Sequence, residues 1–122
     1  MISERRPIII AIDFDGTIVT NNFPGIGKLI PKAKETIKRL KDEGNILILW
    51  TCREGDNLDK ALEFCKKEGI EFDSVNENYK QLPFKTSSKI YADYYIDDRA
   101  KEVDWEKNYE DISNLQVDPF IK

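Results

Sequence analysis

Ile8-Ile9-Ile10-Ala11-Ile12, followed without a break by Asp13-Phe14-Asp15-Gly16-Thr17, is the stretch that decides how the rest of this chain is read. The first five residues are apolar, rich in isoleucine and without alternation, so they predict a strand covered on both faces. Side chains two apart on an extended backbone point the same way, so Asp13 and Asp15 can face one pocket while Phe14 turns into the core. Two carboxylates about 4 Å apart repel by about 4 kcal/mol at an effective dielectric of about 20. A buried pair therefore needs a shared proton, a cation or strong donors. Gly16 lets the backbone turn sharply and approach a ligand, and the Thr17 hydroxyl is suited to donating to an oxyanion or fixing an Asp rotamer. A solvated Asp-Gly turn explains the pair alone, but not the polar groups that follow later strands.

A second apolar run, Ile46-Leu47-Ile48-Leu49-Trp50, ends in Thr51-Cys52-Arg53-Glu54-Gly55. Ile70 to Val75 predicts a short third strand followed by Asn76-Glu77-Asn78, and Tyr91 to Ile96 predicts a fourth that runs into Asp97-Asp98-Arg99. Between the first two strands lies an irregular segment, Ile18 to Ile30. Its Asn21-Asn22, Pro24-Gly25 and Gly27 predict a small flap rather than a domain. Pro31 suits the first turn of a helix carrying Ala33, Ile37 and Leu40 on one face and ended by Gly44. Leu58, Ala61, Leu62 and Cys65 repeat at helical spacing before Gly69. Tyr79 to Ser88 has little periodicity, and the tail with Trp105, Tyr109 and Ile112 reads as covering structure of undefined form. Strand, helix, strand, helix, strand predicts the α/β class: an open parallel sheet with helices on both faces and a ligand crevice beyond the carboxyl ends of the strands.

The 122 residues fit one domain, 1–122, and leave no room for a separate cap domain. A formal net charge of −4 gives no broad attraction to nucleic acid or to an anionic membrane, so neither is a favoured partner. Arg5-Arg6 precedes the first apolar run as in a signal peptide. The run stops at Asp13, too short for a leader or a span, so a cytoplasmic location is expected. The chain has no histidine, and Cys52 and Cys65 read as small core residues rather than as zinc ligands or a disulfide.

Asp13, Asp15, Asp97 and Asp98 supply hard oxygen ligands, which points to Mg²⁺. A cation holds such carboxylates together and allows a dianionic phosphate to approach them. One carboxylate then attacks phosphorus while its neighbour manages the leaving group's proton. Thr51 is placed to bond a phosphate oxygen, and Lys89, with Lys85 in reserve, to neutralise charge on the attacked group. Arg53 offers a planar fork for a phosphate or a carboxylate, against the plainer alternative of a surface ion pair.

At this point the chain resembles the haloacid dehalogenase-like hydrolases. Asp13-Phe14-Asp15-Gly16-Thr17 matches that family's DxDGT first motif, Thr51 its second-motif Ser/Thr, Lys89 its third-motif basic residue, and Asp97-Asp98 an acidic fourth motif of the DD type. The resemblance covers most of Pro7 to Arg99. It implies a Mg²⁺-dependent phosphatase with Asp13 as nucleophile and Asp15 as general acid/base. It also implies a metal held by Asp13, the Asp15 backbone carbonyl and Asp97, helped by Asp98. Lys89 stands closer to Asp97 than the third-motif residue does in many relatives. Neither cap-insertion interval is long here, so the chain looks like a capless member, similar to small phosphatases of bacteria and phages. An open site of this kind predicts a homo-oligomer or a bulky phosphorylated substrate. Nucleotides, sugar phosphates and polynucleotide ends all present the required group.

Two other readings share this pattern. A receiver-like phosphoacceptor domain also combines a parallel sheet, acids, a Thr and a Lys, but it is expected to carry its acceptor after a middle strand, where this chain has Thr51 and Asn76. A non-catalytic phosphate-binding protein of the same fold needs no turnover, yet no motif residue is missing.

Overall fold

The computed structural model describes residues 6–80, 82, 90–97 and 103–117. Its elements in chain order are strand β1 (Ile9–Ile12), helix α1 (Ala33–Asp42), strand β2 (Ile46–Leu49), helix α2 (Gly55–Lys67), strand β3 (Ser74–Val75), strand β4 (Tyr94–Ile96) and helix α3 (Trp105–Asn114). The four strands form one parallel sheet in the order β3-β2-β1-β4. β1 and β2, drawn from the two isoleucine- and leucine-rich runs, are its central pair, and every residue of both strands is buried. The α/β class and the open parallel sheet expected from the sequence are thus observed.

Strand order and chirality together decide what covers each face. From β1 to β2 to β3 the chain moves steadily in one direction, so right-handed crossovers put α1 and α2 on the same face. There Ile8, Ile10, Ile12, Leu47 and Leu49 meet Ala33, Ile37 and Leu40 of α1 and Ala61 and Cys65 of α2. Trp105 and Ile112 bring α3 to that face as well. Passing from β3 to β4 reverses direction, so the same handedness sends this connection across the other face. Tyr79, Leu82, Ile90, Tyr91 and Ala92 there cover Ile9, Ile46 and Ile48. Both faces are covered, one of them by the three described helices.

The third and fourth strands are shorter than the sequence suggests, and the residues before them explain why. Asp73 and Asp93 each stand one position ahead of a strand and use side chain and backbone together on a single neighbour. The Asp93 carboxylate accepts the Ile9 amide at 2.8 Å while the Asp93 amide donates to the Ile9 carbonyl at 2.7 Å. Asp73 does the same to Leu47, at 2.8 and 2.7 Å. Each Asp also holds a cation: Arg6 grips Asp93 through two 2.8 Å bonds, and Lys41 reaches Asp73 at 2.6 Å. Burial raises the Asp93 acid range, but the Arg6 fork, the Ile9 amide and the Tyr91 hydroxyl outweigh it, and the net shift is downward. Cys65, enclosed in the core, has its thiol pushed up to about 12 by burial. No helix among the described residues is long and apolar enough to cross a membrane.

Candidate active site

The carboxyl ends of β1, β2 and β4 open into a cleft of about 320 Å³ lined by Asp13, Asp15, Asn21, Trp50, Thr51, Cys52 and Asp97. Asp13 follows Ile12 and Asp97 follows Ile96, and those two isoleucines are paired across neighbouring parallel strands. The ladder continues one step further, since the Asp13 amide donates to the Ile96 carbonyl at 3.0 Å. Neighbouring strands lie about 4.8 Å apart, so the two carboxylates start from adjacent positions on the same side of the sheet. Asp13 Oδ1 accepts the amide of Phe14 at 2.8 Å, which fixes the rotation of its carboxylate.

The segment after Asp13 curls back on itself. The amides of Thr17, Ile18 and Val19 all donate to the Phe14 carbonyl, at 3.2, 2.9 and 3.3 Å, and Gly16 makes the turn at a φ of +80°. The Gly16 amide is taken by the Val19 carbonyl at 2.7 Å. The same curl carries Thr17 wholly inside: its carbonyl accepts the Trp105 indole N–H at 3.0 Å, and its buried hydroxyl has no hydrogen-bond partner among the described residues. Neither residue is among those that line the cleft. They shape the loop that presents Asp13 and Asp15.

Arg53 departs furthest from expectation. Its side chain is 1% exposed. All five of its N–H donors are used within the protein: Nε and Nη2 on the two Asp15 oxygens at 2.8 and 2.7 Å, Nη2 on the Gly25 carbonyl at 2.7 Å, and Nη1 on the carbonyls of Pro24 and Asn57 at 3.1 and 3.2 Å. The guanidinium lies over the rings of Phe14 and Phe23, 5.2 and 5.0 Å from their centres. No donor is left for a phosphate. Arg53 instead ties the carboxylate of Asp15 to the flap and to the first turn of α2. Each Asp15 oxygen keeps a second lone pair, and the residue still lines the cleft. The Arg53 fork fixes the orientation of the Asp15 carboxylate beside Asp13.

Thr51 stands where the sequence places it, on the cleft wall. The Asn76 side chain accepts the Thr51 amide at 2.8 Å, and the Thr51 hydroxyl accepts the Arg53 amide at 3.1 Å, leaving its own proton to donate. Cys52 is exposed in the cleft, not a core residue, because it falls past the end of β2. Lys89, Lys85, Asp98 and Arg99 lie outside the described residues. Among the described residues no three His, Cys, Asp or Glu side chains converge for a metal. The donor set at the strand ends is two carboxylates, Asp13 and Asp97, with main-chain oxygens nearby. Such hard donors fit Mg²⁺ and do not fit a soft metal.

The family of haloacid dehalogenase-like hydrolases matches residues 10–103, from within β1, through Asp97-Asp98, to Val103 just ahead of α3. The chain belongs to the haloacid dehalogenase-like hydrolases. It is also similar to a solved structure, a conserved protein from Bacteroides thetaiotaomicron, with 44% identity, a TM-score of 0.82, and coverage of 92% of this chain and 94% of that one. No curated protein matches it. As a member of this hydrolase family it places the first-motif acids just past the carboxyl end of β1, a central strand whose neighbours on both sides contribute to one cleft.

Proposed function

We propose that this haloacid dehalogenase-like hydrolase is a Mg²⁺-dependent phosphomonoesterase. The observation that carries the reading is the convergence of Asp13, Asp15, Thr51 and Asp97 on one cleft from the ends of three strands. Asp13, the Asp15 carbonyl and Asp97, with Asp98 beside it, are the residues that would hold the ion. When bound, Mg²⁺ supplies positive charge that offsets the carboxylates and the phosphoryl oxygens.

Asp13 is the nucleophile. One of its carboxylate oxygens bonds to phosphorus as the ester P–O bond breaks, and the departing oxygen takes a proton from Asp15. Asp15 then accepts a proton from water as that water attacks the aspartyl-phosphate, releasing phosphate and restoring Asp13. The Arg53 fork holds Asp15 in one orientation for both transfers, and the Thr51 hydroxyl donates to a phosphoryl oxygen. Lys89 is assigned the remaining positive charge. A receiver-like domain would consume no more than one phosphoryl group per chain, so turnover separates the two readings.

The test is phosphate release from a panel of phosphomonoesters, including p-nitrophenyl phosphate, with Mg²⁺ and with EDTA. Many turnovers per chain are expected only with the metal, and Asp13→Asn is expected to lower the rate by at least about 10³-fold while unfolding at the parent temperature. Equal rates for Asp13→Asn and parent refute the nucleophile assignment.

A further inference from the structure

Three large apolar side chains among the described residues are markedly exposed: Phe23, Trp50 and Tyr95. Phe23 lies over Arg53 in the flap, Trp50 lines the cleft, and the Tyr95 ring meets the Trp50 ring edge-on at 5.5 Å and 66°. Sheet geometry explains how the last two meet. Ala11 is paired with Ile48 on one side and Tyr95 on the other, so these three share a face. Trp50 and Asp13 come two residues after Ile48 and Ala11 and point to that same face. The small side chain of Ala11 leaves room for Trp50 and Tyr95 to reach each other across β1, next to Asp13.

The pair is braced rather than loosely exposed. The Tyr95 hydroxyl donates to the Ile90 carbonyl at 2.7 Å and accepts the Ala92 amide at 3.1 Å. A fixed tyrosine thus supports one edge of an indole that remains 39% exposed beside the nucleophile. Exposed aromatic area is unfavourable in water by roughly 25 cal/mol per Å², and a flat, rigid, amphipathic ring recovers it most directly by stacking on another flat ring.

We infer that Trp50 is a stacking platform for a planar ring in the leaving group, so that the substrate is a nucleoside monophosphate rather than a phosphosugar. The inference takes its phosphate-binding end from the function proposed above. A cleft of about 320 Å³ lies at the small end of ligand sites, suiting a mononucleotide. A net charge of −4 favours a single nucleotide over a polymer.

The chain contains its own probe, since of its two tryptophans Trp105 is buried at 2% exposure and Trp50 is not. Indole fluorescence of the Asp13→Asn chain is titrated with adenosine 5′-monophosphate and with ribose 5-phosphate, both with Mg²⁺. Quenching by the nucleotide alone is expected, together with affinity for it at least about 5-fold above that for the sugar phosphate, the lower end of the 1–3 kcal/mol measured for base stacking. Adding Trp50→Leu is expected to remove that preference without changing ribose 5-phosphate affinity, and Trp50→Phe to retain most of it. Ribose 5-phosphate binding is read by its competition with the nucleotide and by calorimetry, and calorimetry reads both ligands in the Trp50 variants, which lack the reporting indole.

Equal affinity for the two ligands, or an equal loss of both in Trp50→Leu with no rescue by Trp50→Phe, overturns the platform. Hydrolysis is read separately on the parent with p-nitrophenyl phosphate. Turnover without nucleotide preference refutes the platform alone, and nucleotide preference without turnover refutes the reaction while supporting the platform.

Discussion

Replacing Arg53 by alanine is expected to loosen the flap and cost about 3–4 kcal/mol of stability. The side chain is 1% exposed and makes five hydrogen bonds, two of them to the carboxylate of Asp15. Removing one member of a buried ion pair costs about 3–5 kcal/mol because the partner charge is left without compensation. Asp15 is 18% exposed and the carbonyls of Pro24 and Gly25 sit in a surface flap, so water recovers part of that loss. The lost cation–π contacts with Phe14 and Phe23 add about 0.5–1 kcal/mol each. For a domain of this size the sum lowers the melting temperature by about 10–15 °C without abolishing folding. Arg53→Lys keeps the charge but not the planar fork and is expected to recover less than half. The assay is urea and thermal unfolding followed by circular dichroism, with hydrogen exchange at the flap amides of Thr20 and Lys28, which bond across the flap. A change under about 1 kcal/mol with flap protection unaltered refutes the assignment of Arg53 as the tie between Asp15 and the flap.

Asp93→Asn is expected to destabilise by about 2 kcal/mol at pH 7 through loss of the charged Arg6 fork. Because the native carboxyl titrates below its ordinary value of 3.8, its contribution is complete above that value and disappears as pH falls through the native range. Urea midpoints of parent and variant should therefore converge in acid, at pH well under the ordinary carboxyl value of 3.8; a gap that stays constant into strong acid contradicts the linkage. Gly27→Ala is expected to disrupt the flap, because an added Cβ would collide with the Thr20 carbonyl. Faster exchange at Thr20 and Lys28 is the readout, and an unperturbed flap counts against the close approach.

The sheet and the first-motif acids were legible because their signals are local: unbroken apolar runs, and acids two apart at a strand's end. α3 was also within reach. Asp104 caps it by accepting the Lys107 amide, and Trp105, Tyr109 and Ile112 are spaced for one helical face, but the tail reads as irregular when the cap is not weighed. What the sequence does not carry is partnership at a distance. Arg53 stands 38 positions from Asp15 and one from Glu54, so nearby acids make a surface pair the simplest expectation, and only the folded chain brings Asp15 to it. Thr17 fails for a related reason. The motif predicts a polar loop, but the Phe14 carbonyl gathers three successive amides and rolls that hydroxyl inward.

The paired use of Asp73 and Asp93 at the amino ends of the strands has a consequence at the opposite edge of the molecule. Each clasps both main-chain groups of one residue on a neighbouring strand, so β3 and β4 have one permitted alignment against β2 and β1. A slip of one residue in β4 would turn Asp97 to the helix-covered side, away from Asp13. The chemistry at the mouth of the sheet is thus aligned from its base, by two aspartates that never meet a substrate.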